Sequence, residues 1–164
     1  MQKPLSRADR EIAEIYKRHI KTIYRVCFAY MKTPADTEDA VSETFCKMIQ
    51  SAPAFENETH EKAWLIRTAS NVCKNNLKHW WRKNKPIEDY EALSTDDEIE
   101  IDTVMEIVMT LPEKYKTVVY LYYYEQHTGA EIAEILQKPQ STIRNHLHEA
   151  RQILKNKLGD DFNE

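Results

Sequence analysis

The sequence predicts an all-α protein, built from two small helical domains joined by an acidic linker, and three observations support this prediction. Glycine occurs only at Gly129 and Gly159, so residues 1–128 lack the residue that tight turns between strands usually require. Apolar residues recur at intervals of three and four along several long segments, as they do on one face of an α-helix. A stretch without lysine or arginine separates two groups of these segments.

The first domain, residues 8–86, is predicted to begin with two helices. The first helix covers residues 8–32 and must end before Pro34, because proline disfavours helical geometry at the preceding residue and cannot continue the hydrogen-bond ladder. Asp36 or Thr37 is expected to cap the second helix, since both side chains carry an oxygen that accepts hydrogen bonds from backbone N–H groups.

A third helix is predicted after the polar loop around Asn57, with Thr59 or His60 at its start. Its apolar residues recur at helical spacing from Ala63 to Trp81. Three strong amphipathic helices in succession predict a small helical bundle.

The charged residues are distributed unevenly along the chain, although its net charge is only −4. Residues 1–86 carry +6, residues 87–110 carry −9 and residues 111–164 carry −1. Because residues 87–103 are acidic and only weakly periodic, they are predicted to form a linker. A basic domain beside an acidic linker favours a polyanionic partner for the first domain, most of all for the basic run from Lys74 to Lys85.

The second domain, residues 104–160, contains a helix-turn-helix pattern. A short helix from Gly129 or Ala130 is followed by a turn, and Ser141 or Thr142 is expected to cap the next helix. That helix carries a regular apolar stripe of Ile143, Leu147, Ala150, Leu154 and Leu158. In helix-turn-helix proteins the second helix places its N-terminal side chains in the major groove of DNA.

The outer face of this second helix is polar and includes side chains that pair well with base edges. Asparagine and arginine form two hydrogen bonds with adenine and guanine respectively, whereas Glu149 on the same side opposes close approach to phosphate. The pattern alone leaves open a helical hairpin whose polar face is only solvated. The polar residues are Gln140, Thr142, Arg144, Asn145, His148 and Arg151.

The sequence predicts no enzyme, metal or cofactor site. Cys27, Cys46 and Cys73 are widely spaced and form no C-x-x-C pair, which favours reduced thiols in the cytoplasm over disulfides or zinc. The histidines form no H-E-x-x-H motif, and glycine is too scarce for a phosphate-binding loop. No apolar run is long enough for a membrane span, and the N-terminus lacks the apolar core of a secretory signal.

Several motifs, in this order, resemble those of the extracytoplasmic-function sigma factors. Residues 39–45 resemble the D-L-V-Q-E-x-F stretch of sigma region two, and residues 63–71 resemble its W-L-x-x-I-A-x-N stretch. Residues 111–116 resemble the L-P-x-x-x-R opening of sigma region four. Residues 130–136 and 141–151 resemble the helix-turn-helix of the same region. Two such domains in the family's order are far more specific than a lone helix-turn-helix.

The resemblance implies a transcription initiation factor that binds core RNA polymerase and directs it to promoter DNA, with an anti-sigma factor as a further partner. The implied polymerase contacts are Glu38, Asp39 and Glu43 on the second helix. The implied readers of the single-stranded minus-ten element are Arg67, Asn71, Lys74, Asn75 and Lys78. The implied readers of the minus-thirty-five duplex are Gln140, Ser141, Thr142, Arg144, Asn145 and His148.

Two departures from the family pattern bear on DNA binding. Gln137 stands where the family usually has a turn glycine, and Glu149 stands where it often has arginine. The alternative functions are a stand-alone helix-turn-helix regulator and a helical adaptor that binds only proteins. The first would usually dimerise to match two half-sites, but no heptad seam in the sequence is long enough for that. The second would not need the asparagines and lysines of residues 71–78.

Overall fold

The computed structural model describes residues 7–51, 53–82 and 102–158, and their regular structure is entirely helical, which confirms the all-α prediction for this part of the chain. Most of the predicted linker, 87–103, lies outside the described residues, as do the side chains of Trp80 and Trp81. The helices are α1 (Arg7–Met31), α2 (Pro34–Ser51), α3 (Glu58–Arg82), α4 (Thr103–Thr110), α5 (Glu113–Val119), α6 (Gly129–Leu136) and α7 (Gln140–Leu158).

Helices α1, α2 and α3 form the first bundle, in which each helix packs against the other two. The interior consists of side chains that recur at helical spacing, among them Ile23, Cys27, Phe45, Leu65 and Ala69, all of which are buried. Since these residues fix the rotation of each helix about its axis, they also decide which polar residues face outward.

The junction between α1 and α2 uses a different cap from the one that the sequence predicts. Lys32 adopts a left-handed φ of 68°, which ends α1, and Pro34 is the first residue of α2. Thr33 Oγ1 donates to Asp36 Oδ2 at 2.6 Å and accepts from the Asp36 backbone N–H at 3.3 Å. Thr33 is therefore the cap, and the prediction of Asp36 or Thr37 was wrong. Thr37 instead lies buried in the first turn.

Helix α3 is also capped a few residues earlier than predicted. The His60 backbone N–H donates to Asn57 Oδ1 at 2.8 Å, so Asn57 rather than Thr59 or His60 caps the helix. One residue after His60, the buried Glu61 carboxylate lies 2.6 Å from His19 Nε2 on α1. This contact fastens the start of α3, and hence the orientation of the whole helix, to α1.

The second bundle consists of α4 to α7, with a π-helical turn at Tyr120–Tyr124 between α5 and α6. Helix α7 packs against α5 and α6. Four members of its predicted apolar stripe, Ile143, Leu147, Ala150 and Leu154, are buried as predicted, and the side chain of Leu158 lies outside the described residues. The two bundles also pack against each other, with α1 in contact with α4 and α5, and α3 in contact with α6.

The turn of the helix-turn-helix places Gln137 in the left-handed region, at φ 56° and ψ 49°. The Lys138 backbone N–H donates to Ala133 O at 2.9 Å, and the Gln137 N–H donates to Glu134 O at 3.3 Å, which together close α6. Helix α7 then begins at Gln140, so the predicted caps lie inside its first turn. Residue 137 therefore has the left-handed backbone conformation that glycine adopts without strain, although this sequence has glutamine there.

Replacing Gln137 by glycine is expected to stabilise the protein by about 1 kcal/mol, because a side chain in the left-handed conformation is strained by roughly that amount. Gln137→Ala keeps the Cβ atom and is the matched control, which should show no such increase in stability. Urea denaturation of the three proteins measures the difference. Equal stability of the glycine and alanine variants would contradict the assignment of strain to this position.

Candidate nucleic-acid interfaces

The outer face of α3 presents a stripe of amide and ammonium groups. Asn71, Asn75 and Lys78 are exposed, and Lys74 is half-buried among them. Positions three and four apart on a helix are neighbours, so these four side chains form one continuous row. Val72, Cys73 and Leu77 are buried on the opposite side of α3, which fixes the row toward solvent.

Lys74 lies where the first bundle approaches the turn of the helix-turn-helix. Burial lowers the pKa of Lys74, and the nearby positive charge of Lys138 lowers it further, while Glu113 acts in the opposite direction. Lys74 is therefore less available to DNA than the exposed Lys78.

A cavity of about 630 Å³ lies between the start of α3 and helix α6. On the first bundle its walls include Trp64 and Arg67, both of them half-buried. On the second bundle they include the carboxylate-bearing residues Glu131 and Glu134. Trp64 also packs edge-on against Phe55, with ring centroids 5.8 Å apart. Its ring therefore contacts Phe55 and also lines the cavity.

The first half of α7 presents the second set of candidate residues. Gln140, Ser141, Arg144, Asn145 and His148 are exposed, and Thr142 is half-buried. A shallow cavity of about 360 Å³ lies beside them and is lined in part by Thr142, Asn145 and His148. The buried apolar stripe of α7 holds this face outward, as a helix that reads a DNA groove requires.

Arg151 does not extend freely from this face, which corrects its assignment to the solvent face of α7. Its Nε donates to the Tyr123 hydroxyl at 3.2 Å, and its guanidinium carbon lies 5.3 Å from the centre of the Tyr122 ring. The side chain thus fastens α7 to the π-helical turn. Nothing in the sequence around Arg151 indicates this, because the tyrosines are almost thirty residues away.

Glu149 is exposed but has a partner that the sequence does not suggest. The hydroxyl of Tyr115, on α5, donates to Glu149 Oε1 at 3.2 Å. The carboxylate consequently lies on the flank of α7 that faces the start of α5. The negative charge of Glu149 also contributes to raising the pKa of the exposed Lys114, after the larger effects of Tyr115.

Replacing Glu149 by arginine is expected to tighten binding to duplex DNA by up to about tenfold, and to steepen its salt dependence by about one unit of slope for each additional phosphate that the arginine neutralises. Glu149→Gln is the matched control, because it removes the charge and still accepts the Tyr115 hydrogen bond. Titrations at several salt concentrations, on matched and scrambled duplexes, measure both quantities. An altered sequence preference would instead indicate that Glu149 reads a cytosine amine, and no change in either would indicate that it faces away from DNA.

The acidic residues of α2 divide into two groups. Glu38 and Asp39 are exposed, whereas Glu43 is half-buried and accepts a hydrogen bond from Asn76 Nδ2 of α3 at 3.5 Å. Glu38 also lies near Tyr24, where burial and then the charge of Glu38 raise the pKa of the phenol. Glu38 and Asp39 therefore form the free acidic surface, and Glu43 borders it.

Two kinds of site are absent from the described ranges 7–51, 53–82 and 102–158. These residues contain no group of three or more histidine, cysteine or acidic side chains that could hold a metal ion. None of the described helices is long and apolar enough to cross a membrane.

Family models match both bundles. The model for sigma-70 region 2 matches residues 15–85, and the model for sigma-70 region 4 matches residues 101–154. The chain is 28% identical to the ECF RNA polymerase sigma factor SigW of Bacillus subtilis, over 93% of this chain and 90% of the relative. It is 31% identical to the ECF RNA polymerase sigma-E factor of Haemophilus influenzae, over 75% of each chain.

The fold also matches a solved structure. It superposes with a TM-score of 0.73 on the sigma factor RpoE of Bartonella quintana, solved in complex with the anti-sigma factor NepR. The match covers 93% of this chain and 99% of the other, at 16% sequence identity. At that identity the likeness concerns the fold.

Proposed function

The chain belongs to the extracytoplasmic-function sigma factors, and from this premise we propose which of its surfaces read the promoter and which meet the polymerase. As a sigma factor it directs RNA polymerase to promoters. It works by binding rather than by catalysis of its own, and it acts where polymerase and chromosome meet, in the bacterial cytoplasm.

The outer face of α3 reads the minus-ten element as a single strand. Asn71 and Asn75 supply amide groups that pair with base edges, while Lys74 and Lys78 supply cations for the adjoining phosphates. Arg67 extends this face toward the cavity at the start of α3. The support is a single row of groups suited to both tasks, in which Asn71, Asn75 and Lys78 are exposed and Lys74 is half-buried.

The N-terminal half of α7 reads the minus-thirty-five duplex. Arg144 and Asn145 are the side chains there that form paired hydrogen bonds with guanine and adenine. Gln140, Ser141, Thr142 and His148 complete the surface that faces the groove. Their exposure along one side of a helix held by a buried stripe supports this assignment.

The acidic surface of α2 docks on RNA polymerase. Reversing both charges with Glu38→Lys and Asp39→Lys is expected to weaken binding to core polymerase about five- to tenfold, because rim charges act through electrostatic complementarity. Glu38→Lys alone is compared with Glu14→Lys, an equal change of charge on the exposed side of α1, which should leave the affinity unchanged. Binding of each purified variant to labelled core polymerase measures the effect, and equal affinities would contradict the assignment of this surface.

We also expect an anti-sigma factor as a regulatory partner, since the matched Bartonella sigma factor is bound to one. Such a partner would keep the chain from polymerase until it is released.

The decisive experiment mixes the purified chain with core polymerase and genomic promoter fragments and maps the transcription starts. Specific starts that require both the chain and core polymerase would support the proposal. Tight operator binding without any polymerase-dependent start would favour the stand-alone regulator instead.

A further inference from the structure

Tyr115, on α5, brings three side chains together at the flank of α7. Its hydroxyl donates to Glu149 Oε1 at 3.2 Å, and Lys114 Nζ lies 5.0 Å from the centre of its ring. The imidazole of His146 packs edge-on against the same ring, with centroids 5.6 Å apart. Tyr115 itself is buried, so the interior of the second bundle fixes the position of all these contacts.

The bond to Tyr115 holds the Glu149 carboxylate in a contact other than an ion pair with Lys114. In the described part of the chain, no ion pair joins these two residues. Their charges act on each other only at longer range, since Glu149 raises the pKa of Lys114 after the larger effects of Tyr115. An exposed ammonium group that has no ion pair is available to an external anion.

Lys114 lies beside the surface of α7 that we assign to the minus-thirty-five duplex. His146 and Glu149 line the same shallow cavity of about 360 Å³ as Asn145, one of the proposed readers. Burial and the charge of Lys138 lower the pKa of His146, and the charge of Lys114 adds to this effect, against that of Glu149. The Lys114 ammonium group is therefore close to the reading face of α7, although it belongs to another helix.

A helix that lies in the major groove fills it from side to side. The groove is about 12 Å wide, and a helix with its side chains is about 10–12 Å in diameter, so the flanks of the helix face the two phosphate backbones. Cations on a flank bind these phosphates and add affinity without sequence information. On this flank α7 itself supplies the carboxylate of Glu149, which repels phosphate.

We propose that Lys114 binds a backbone phosphate of the minus-thirty-five duplex, and that Tyr115 is a positioning residue that holds Glu149 away from Lys114. This assignment, which rests on the proposed role of α7, adds a cation from α5 on the flank where α7 carries a carboxylate. A free Glu149 side chain would turn toward the neighbouring ammonium group, because opposite charges attract at this range. The hydroxyl of Tyr115 prevents that neutralisation.

The test measures binding of the full-length chain to a fluorescent DNA duplex of random sequence and about 20 base pairs, at several salt concentrations, since a phosphate contact does not depend on sequence. Lys114→Gln should weaken binding by up to about eightfold at ~0.1 M salt, and should reduce the slope of log affinity against log salt by about 0.9. Lys47→Gln, an equal loss of charge at an exposed position of α2, is the matched control and should leave the slope unchanged.

Tyr115→Phe removes only the hydroxyl and tests the positioning role. The released Glu149 should pair with Lys114 and weaken DNA binding by up to about fivefold, the range that an exposed ion pair provides. In a chain that already carries Glu149→Gln, Tyr115→Phe should leave the affinity unchanged, because no carboxylate remains to compete with phosphate. A merely structural hydroxyl would weaken binding equally in both backgrounds. Urea denaturation checks that every variant is folded under the binding conditions.

Run-off transcription with core polymerase on a set of promoters supplies a second readout. Lys114→Gln should lower initiation at all of them alike and keep their order of preference, as loss of a phosphate contact does. A changed order of preference would show that Lys114 contacts a base, and would overturn the phosphate assignment.

Arg144→Ala, on the outer face of α7, is measured on the same duplex to separate this assignment from the function on which it rests. If Arg144→Ala weakens binding while Lys114→Gln behaves like Lys47→Gln, only the Lys114 contact is wrong. If neither Arg144→Ala nor Lys114→Gln weakens binding, α7 does not read duplex DNA, and its proposed role is wrong as well. Equal effects of Tyr115→Phe in both backgrounds would overturn the positioning role.

Discussion

Raising the pH from 7 to 8.5 is expected to increase the free energy of unfolding of the wild-type chain by about 1.5 kcal/mol through Lys116 alone. Burial, and after it the positive charge of Lys32, lower the pKa of Lys116 to about 7, against opposing effects of Glu113 and Cys73. In the unfolded chain the same group has its ordinary pKa of 10.5. Between these two values the unfolded state binds more protons, so stability rises with pH.

The hydrogen bonds of Lys116 are compatible with loss of its proton. A neutral amine keeps two N–H groups, which suffice for Ala29 O and Met109 O. Below pH 7 the group is protonated in both states, and the pH dependence that it causes disappears. Above about pH 9 other groups lower the free energy of unfolding as the pH rises. The neighbouring Cys27 thiol and burial raise the pKa of Cys73, and burial raises the pKa of Tyr30, so at these two groups the folded state binds more protons than the unfolded state.

Lys116→Met is the reference variant, because methionine has a similar unbranched shape but no titrating group. Urea denaturation of both proteins at several pH values from 6 to 8.5 measures the difference. At pH 8.5 the variant should be less stable by about 2 kcal/mol, since two buried carbonyl groups lose a donor. Parallel pH profiles for the two proteins would show that Lys116 keeps an ordinary pKa and does not act as described.

The helices were predictable because their causes are local. Apolar residues at helical spacing set the length and inward face of each helix, and Pro34 sets a boundary. The caps were missed by a few residues at Thr33 and Asn57. Several neighbouring polar side chains have a suitable oxygen there, and only the backbone geometry selects among them.

The interface between the bundles was not predictable from the same patterns. Lys116 and Thr117 look like solvent-facing residues in the sequence, because the spacing of apolar residues says nothing about a polar group that hydrogen-bonds to a distant helix. Lys116 even falls at the arginine position of the region-four motif, where its charge suggests exposure. Its burial depends in part on packing against Ala29 of the first bundle, and no local sequence pattern indicates that packing.

The candidate DNA surfaces could be predicted from the sequence only in part. The rotation of α3 and α7 follows from their buried stripes, so the exposure of most of their polar residues could be predicted, although Lys74 and Thr142 are half-buried. The bond from Tyr115 to Glu149 and the packing of Arg151 on tyrosines were not. Each joins residues roughly thirty positions apart through side chains whose polarity suits solvent equally well.

Replacing Asn71 and Asn75 by alanine is expected to impair formation of the open promoter complex by more than any other exposed substitution on α3. A good base contact contributes roughly 1–3 kcal/mol, which corresponds to about five- to 150-fold for each asparagine. Both side chains are exposed, and alanine favours helix, so the fold and the affinity for polymerase should be unchanged. The defect should therefore appear in promoter opening alone.

Asn76→Ala is the matched control, because Asn76 lies on the same helix but is half-buried and donates to Glu43 of α2. It should leave promoter preference unchanged. Lys78→Ala should weaken all promoters alike, since a phosphate contact carries no sequence information. Run-off transcription on a set of promoters with altered minus-ten elements separates these behaviours. If the double asparagine variant keeps the wild-type order of preference and the wild-type rate of opening, α3 does not read the minus-ten bases through Asn71 and Asn75.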